Sequence, residues 1–479
     1  MDLLREIKNL CETQSFDYLL IESTGIAEPM QVAETFEFDA STQAIADSEN
    51  LSLANYARLD TCVTVVDLSM MKKNISSIET IQSAYNEGVG EEEGEKHIGQ
   101  LLMDQLEFAN VIILNKCDMV TEDELEKAKT FITKMNPQAK IICSTFCDVN
   151  PNEILNTKLF SMEQARDAAG WLEDIRNSEL KQSESDEYGI VSFIYTARKP
   201  FHPGRLYSWL TRYFVLRDET TIGAQNLEEF QQQSDARYKV MEEEVGWIAR
   251  SKGFAWIATR GKTLTVWNHG GRLLDFEPSM DWFVESPESS WGFTSKEEVQ
   301  KIKKDFVGKH GDKRQEIVFI GIGIKADAIT QSLDACLLTE EEFQTNESSW
   351  NRFPDPLPPW PVQPGMWSQV LTPGTTTRLN IPETIELEIN LVTLETSDAN
   401  TFCQIFLSNK FKENLLCTLR SGICEQFSFT YRLHGSVGHE LRVVSPNPNN
   451  LVHVFGYAGI LEAEEEDEAN QDEDNQDDH

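Results

Sequence analysis

Basic residues are scarce in this chain. It has 42 Lys and Arg against 80 Asp and Glu, a formal net charge of −38 over 479 residues. A surface of that sign repels phosphate backbones and favours basic partners, so direct nucleic-acid binding is excluded. Apolar runs are short, and none reaches the ~18 residues of a membrane span, so no membrane association is expected. The opening Met1-Asp2-Leu3-Leu4-Arg5-Glu6 has no apolar stretch behind its positive charge. It therefore reads as a helix rather than a secretory signal. The nine cysteines form no C-x-x-C pair and are odd in number, which points to reduced thiols rather than a disulfide framework. Cys143 and Cys147 could share a metal only on a helix, and Lys140 to Thr145 reads as a strand. No G-x-x-x-x-G-K-[ST] phosphate loop occurs anywhere.

What is present divides into stretches of different character. A chain this long suggests about three domains. The first 150 residues alternate apolar runs with helical patterns. The runs are Asp17–Glu22, Cys62–Asp67, Asn110–Asn115 and Lys140–Ser144; the helices are Ile98–Phe108 and Thr121–Met135. Thr121-Glu122-Asp123-Glu124 has the form of a capping box. Buried β-branched runs between helices predict a parallel α/β sheet. Gly88–Glu95 reads as an acidic loop and 161–185 as a charged helical connector. Residues 189–345 mix strands (Gly189–Thr196, Phe254–Thr259, Glu316–Ile322) with helices (Gly204–Tyr213, Ala326–Leu337), an α+β pattern. A proline-rich spacer, 346–364, leads to an all-β segment, 365–460, with turns at the spacing of a sandwich or jelly roll. The last nineteen residues, 461–479, contain eleven acids and no Lys or Arg, and read as a disordered tail.

Two elements carry chemistry. Asn115-Lys116-Cys117-Asp118 follows an apolar strand and has the N-K-x-D form of a guanine reader. The aspartate can accept two hydrogen bonds from guanine N1–H and the 2-amino group, which adenine does not present. The asparagine amide meets the other edge of the base, and the lysine stem packs over the ring. A four-residue match can also arise in an ordinary surface loop. Glu22-Ser23-Thr24-Gly25 ends the first apolar run. There Glu22 would reach Mg²⁺ through water, and Gly25 would let the backbone approach a γ-phosphate. Taken alone, that stretch is equally a strand ending in a turn.

Together these elements resemble the CobW GTPases. Ile21-Glu22-Ser23-Thr24-Gly25-Ile26-Ala27-Glu28-Pro29 is similar to the family's E-S-T-G-x-A-x-P switch, and Leu59 to Asp67 to its next strand. Asp104 to Asp118 resembles the Q-I-E-F-A-D…N-K-x-D block. Arg198-Lys199-Pro200-Phe201-His202-Pro203 resembles the R-P-F-H-P entry to the C-terminal domain, and Arg250 to Trp256 and Arg314 to Gly321 continue the match. The resemblance covers about residues 1–345. It implies a GTPase-like domain at 1–165 without its phosphate loop, and a CobW C-terminal domain at 189–345. It further implies GTP and Mg²⁺ as cofactors, zinc as the family metal, and a metal-requiring client protein. Glu22 and Gly25 would act at the phosphates, and Asn115, Lys116 and Asp118 would bind the base. The family's phosphate loop and C-x-C-C metal motif are missing, and Asp2-Leu3-Leu4 resembles the point just after that motif. Either the chain begins inside a longer protein, or it is a degenerate member that kept only its partner-binding surfaces. His202 falls in the entry motif and His269 in what reads as a turn, Trp267 to Gly271; a structural role is expected for both.

The β-segment resembles nucleoplasmin-like domains. Met366-Trp367-Ser368-Gln369-Val370-Leu371-Thr372-Pro373-Gly374 opens it, Leu416 to Leu419 and Gly422 to Gln426 form its middle, and Val452 to Tyr457 closes it. That family implies a pentameric jelly roll whose acidic segments bind basic proteins such as histones, hence a homo-oligomer. An unrelated β-sandwich with a solubilising tail is the other reading. A cytoplasmic or nuclear location is expected; Lys301-Ile302-Lys303-Lys304 reads as a solvated helix face rather than a nuclear signal.

Overall fold

Val111, Ile112, Ile113 and Leu114 are buried on both faces, which places their strand at the centre of a sheet. In the computed structural model, β1 (Val63–Asp67), β2 (Val111–Asn115) and β3 (Lys140–Cys143) run parallel in the order β1-β2-β3. The structure describes residues 57–79, 97–161, 189–217, 227–291 and 296–360. It also describes 365–460 with short breaks, 17–22, and positions 7, 10, 33 and 36. Gly25, Gly88–Glu95, most of 161–185 and the tail 461–479 lie outside the described residues.

The helices beside this sheet are α1 (Met71–Ile75), α2 (Ile98–Phe108) and α3 (Glu122–Met135). The α2 terminus is closed by the buried Asn136. Its side-chain amide donates to the carbonyls of Leu106, Glu107 and Ala109 at 2.9, 3.0 and 2.9 Å. Those carbonyls have no partner inside the helix, so one side chain satisfies what the helix end leaves open.

One expected strand is not formed. Residues 17–22 are irregular, and Leu20 is 78% exposed. A parallel strand exists only by pairing, and β1 has no neighbour on its outer side among the described strands. Val65 on that edge is correspondingly 54% exposed.

A six-stranded sheet follows in the same compact unit, Met1–Glu347. Its strands are β4 (Ile190–Ala197), β5 (Val215–Leu216), β6 (Trp247–Ala255), β7 (Thr263–Gly270), β8 (Leu273–Asp281) and β9 (Gln315–Ile322). Their order is β4-β9-β6-β7-β8-β5, antiparallel except for β5 against β8. Helices α4 (Pro203–Tyr213), α5 (Leu227–Glu244), α6 (Lys296–Lys303) and α7 (Ala326–Asp334) belong to this part. Two expectations need correction. The strand expected at 254–259 is the end of the longer β6, followed by a 3-10 turn at Ala258–Arg260. The turn expected at 267–271 is mostly strand, because β7 runs through Gly270.

The second unit, Ser348–His479, contains two four-stranded antiparallel sheets. One holds β10 (Gly365–Leu371), β17 (Leu451–Ile460), β12 (Ile385–Glu395) and β15 (Gln426–His434), in that order. The other holds β11 (Thr376–Leu379), β16 (His439–Val444), β13 (Phe402–Asn409) and β14 (Glu413–Arg420). Alternate residues of β12, namely Ile385, Leu387 and Ile389, are buried. They join Ile405, Leu419, Leu441 and Val454 in one apolar core. This period-two burial is the signature of a sandwich.

Candidate nucleotide site

Parallel α/β sheets bind ligands outside the carboxyl ends of their strands, because loops and helix starts converge there. At that edge Asp67 ends β1 directly opposite Asn115, which ends β2. Lys116 turns the chain with a left-handed φ of 62°. Its Nζ donates to Asp67 Oδ2 at 2.6 Å, and Asp67 Oδ1 accepts from Ser69 N–H and Oγ–H at 3.1 and 2.6 Å. Burial pushes the Asp67 carboxyl up, but the bonds from Lys116 and Ser69 outweigh it and hold the pKa below the ordinary value. Asp67 thus fixes the lysine stem across the mouth of the sheet. The sequence reading assigned it no role, although it closes an apolar strand just as Asn115 does.

Asp118 sits on a one-turn 3-10 helix, Cys117–Met119. Its side chain is exposed and makes no hydrogen bond or ion pair with the described residues. An acceptor pair held free at a strand end is what a donor edge of a base requires. Asn115 does not face outward alone: its Oδ1 accepts the Cys147 N–H at 2.9 Å. Ser144 N–H donates to the Leu114 carbonyl at 2.8 Å, and Cys117 N–H to the Ser144 carbonyl at 3.2 Å. The loop after β3 is therefore stitched to the N-K-x-D turn. The sequence reading missed this loop; its only sequence mark is Ser144-Thr145 at the strand end.

Glu22 is exposed at the end of the irregular segment 17–22, and Gly25 lies outside the described residues. That segment is held by Tyr18, whose hydroxyl donates to Asp60 Oδ2 at 3.0 Å. Asp60 is a structural hub ahead of β1. It also accepts from Thr61 Oγ1, Thr157 N–H and Lys158 N–H at 2.8, 3.0 and 2.9 Å.

The two histidines raised by the sequence are structural. His202 caps α4, its Nδ1 accepting from Gly204 and Arg205 N–H at 3.1 and 3.4 Å. His269 is fully buried against Phe214, with ring centroids 4.2 Å apart, and its Nε2 lies 3.1 Å from the Gly271 carbonyl. Burial, helped by the nearby Arg250 charge, pushes its pKa down to about 3, so it is neutral at pH 7. Among the described residues no three His, Cys, Asp or Glu side chains are placed to hold a metal ion. No described helix is long and apolar enough to cross a membrane.

The helix leading into β2 is locked to the six-stranded sheet. Arg250 of β6 is wholly buried. Its Nε and Nη2 donate to the two Glu107 oxygens at 2.6 and 2.7 Å, and Nη2 also reaches Asp104 Oδ1 at 3.2 Å. Lys252 adds a bond to Glu107 at 3.1 Å. A fork matched to a carboxylate fixes direction as well as distance. Beside it the Gly271 turn, φ 64°, lies so close that an added Cβ would stand 1.9 Å from the Ile75 carbonyl at the end of α1. Any side chain there would separate the two parts.

A parallel sheet with a free carboxylate and an anchored lysine at its carboxyl edge defines a nucleotide-binding α/β protein. Comparison with known proteins refines that class. Residues 1–143 match the CobW/HypB/UreG nucleotide-binding domain, 190–337 the cobalamin synthesis protein cobW C-terminal domain, and 366–458 the nucleoplasmin-like domain. The chain is 34% identical over 357 residues to a zinc-regulated GTPase metalloprotein activator 1 of Dictyostelium discoideum, covering 74% of this chain and 67% of the relative. A protein of the same name from Schizosaccharomyces pombe is 32% identical over 149 residues, 31% of this chain and 29% of that one. The Drosophila NLP-core crystal structure is similar over 20% of this chain and 98% of its own, at 11% identity and a TM-score of 0.18. This chain belongs to the CobW family, with a nucleoplasmin-like domain behind its C-terminal domain.

Proposed function

We propose that the chain serves a GTP-dependent metal chaperone, with guanine read by Asn115, Lys116 and Asp118 and zinc delivered as cargo to a metal-requiring client. The carrying observation is the free Asp118 carboxylate beside the Lys116–Asp67 pair at the sheet edge. The 34% identity to a zinc-regulated GTPase metalloprotein activator supports the same reading. Asp118 accepts from N1–H and the 2-amino group of guanine, and the Lys116 stem covers the ring. The α2 helix enters β2 and carries Glu107, so the base site and the six-stranded sheet share one rigid element. The residues fit the base. Magnesium would neutralise phosphate charge when bound, with Glu22 as the family position that orients its shell and Gly25 as the one at the γ-phosphate. The described residues do not form a metal seat, so no step is assigned through magnesium or zinc.

The test is equilibrium binding of a fluorescent GTP analogue, with GDP and ATP as competitors. GDP should displace the analogue and ATP should not, and Asp118→Ala should abolish that preference while leaving the fold intact. Equal displacement by ATP and GDP from the unmodified chain would sink the guanine assignment.

The nucleoplasmin-like domain supports a second role, that of gathering several copies. Met366 and Tyr457 are exposed and paired across β10 and β17. Apolar side chains on an outer sheet face favour burial against another copy. Such an assembly would present several acidic tails to a basic partner such as a histone. A monomer by light scattering, with the β-domain intact, would count against it.

A further inference from the structure

Phe146 is 92% exposed, the highest exposure among the large apolar side chains of the described residues. Its ring is almost wholly uncovered by the described residues, and its backbone is unfavourable. Phe146 and Cys147 both take left-handed φ angles, 55° and 54°. For residues with a Cβ that conformation is costly, and for a bulky aromatic it is an outlier. An exposed ring recovers none of that cost through burial. Something else must hold the turn, and the Asn115 amide does so by accepting the Cys147 N–H. Asp148 N–H also closes the turn onto the Thr145 carbonyl at 3.2 Å. Three of the five non-glycine left-handed residues among those described, Lys116, Phe146 and Cys147, therefore gather at this one edge. Strain concentrated in this way, with a side chain held out in water, is the pattern expected of a ligand contact.

We propose that Phe146 supplies the aromatic face on which the nucleotide base stacks, across from the Lys116 stem. The inference rests on the base-site reading above and adds a second kind of recognition to it. Asp118 selects by hydrogen bonds to a particular base edge. Phe146 contributes affinity through the π-face, which every purine has, and so does not discriminate. The two residues therefore predict separable effects.

The probes are guanosine monophosphate and adenosine monophosphate, followed by saturation-transfer NMR, which detects base protons against aromatic side chains and works for weak ligands. Saturating the aromatic protons of the full chain should transfer to the guanine ring proton. Phe146→Ala should weaken both nucleotides about tenfold by the same factor, leaving their ratio unchanged. Phe146→Tyr should restore binding, since it keeps the ring. Both variants should melt with the parent, because the side chain is exposed. Asp118→Ala should instead collapse the guanine-to-adenine ratio. If Phe146→Ala leaves affinity within twofold while Asp118→Ala still collapses the ratio, the stacking inference is overturned and the base site stands. If the unmodified chain shows no guanine preference, or Asp118→Ala leaves it intact, the base-site reading fails and the stacking role with it.

Discussion

The two compact units bury different things. In Met1–Glu347 the interior contains Arg250, Asp275, Asp312, Lys313 and Glu316, each 3% exposed or less. In Ser348–His479 the buried polar residues among those described are Thr401, His439 and Asn450, none with a fixed charge. The second unit is a sandwich whose two sheets need only apolar faces to adhere, and hydrophobic burial is non-directional. The first unit joins a parallel sheet to an antiparallel one. A buried Arg–carboxylate fork specifies how they join, because it tolerates one geometry and penalises every other. The contrast distinguishes a part that needs relative orientation from a part that needs only cohesion.

The largest effect should come from the fork. Arg250→Ala removes the fork from the largely buried Glu107, leaving it the Lys252 bond, and should destabilise the first unit by about 3–5 kcal/mol. Hydrogen exchange reads it: protection should fall in β6 and β9 and stay constant in β12 and β17. The double change Arg250→Met with Glu107→Leu should recover much of the loss, since a matched apolar pair need not be desolvated. Acid makes the same point. Burial raises the Glu107 carboxyl, but Arg250 and Lys252 pull it from 4.5 to about 2. A folded value below the unfolded one means the stabilisation is complete above about 4.5 and drains as pH falls toward 2. Glu107→Gln should flatten that part of the pH profile, and an unchanged slope would show the fork to be unimportant.

The matching change in the second unit is Leu387→Ala. Leu387 is fully buried in the centre of the sandwich core. Its removal should cost about 3 kcal/mol through lost burial and a residual cavity. Here no second substitution of opposite charge can help, and no pH dependence should accompany the loss. A pH-dependent penalty would mean that the sandwich also relies on charge.

How far the sequence could be read follows the same division. The period-two burial of β12 and the buried run of β2 are visible because apolar residues alone specify them. The sandwich strands, from Gly365 to Ile460, fill the all-β segment expected at 365–460. The strand β6 was legible only at its end, because Arg250-Ser251-Lys252 interrupts the apolar pattern with polar residues. It is a strand because Glu107 arrives from α2, and Trp267 Nε1 donates to Ser251 Oγ at 2.8 Å. Helix α5, Leu227–Glu244, was not expected either; its Glu- and Gln-rich sequence shows only a faint apolar stripe. At the base site, Asn115, Lys116 and Asp118 were legible as a motif. Asp67, Phe146 and Cys147 were not, because what joins them to it is register and backbone conformation, and neither leaves a sequence pattern. The segment 17–22 shows the opposite failure, an apolar run with no strand to pair with among the described residues.

The smallest effect tests whether the open edge of the nucleotide sheet depends on local order at all. Thr121 caps α3, the helix that follows the Asp118 turn. Its Oγ1 accepts the Glu124 N–H at 3.3 Å, while Glu124 Oε2 accepts the Thr121 N–H at 2.9 Å. Thr121→Ala removes one half of this reciprocal pair and should cost about 1 kcal/mol, and Thr121→Ser should restore it. Amide exchange should quicken across Glu122 to Leu125 and nowhere else. Guanine selectivity should hold, because Asp118 is positioned from the other side, by the Lys116 turn and the Cys117 bond to Ser144. A loss of selectivity in Thr121→Ala would mean that the helix start, and not the strand edge, sets the reader. The first unit would then owe its specificity to local capping as much as to the buried fork that joins its two sheets.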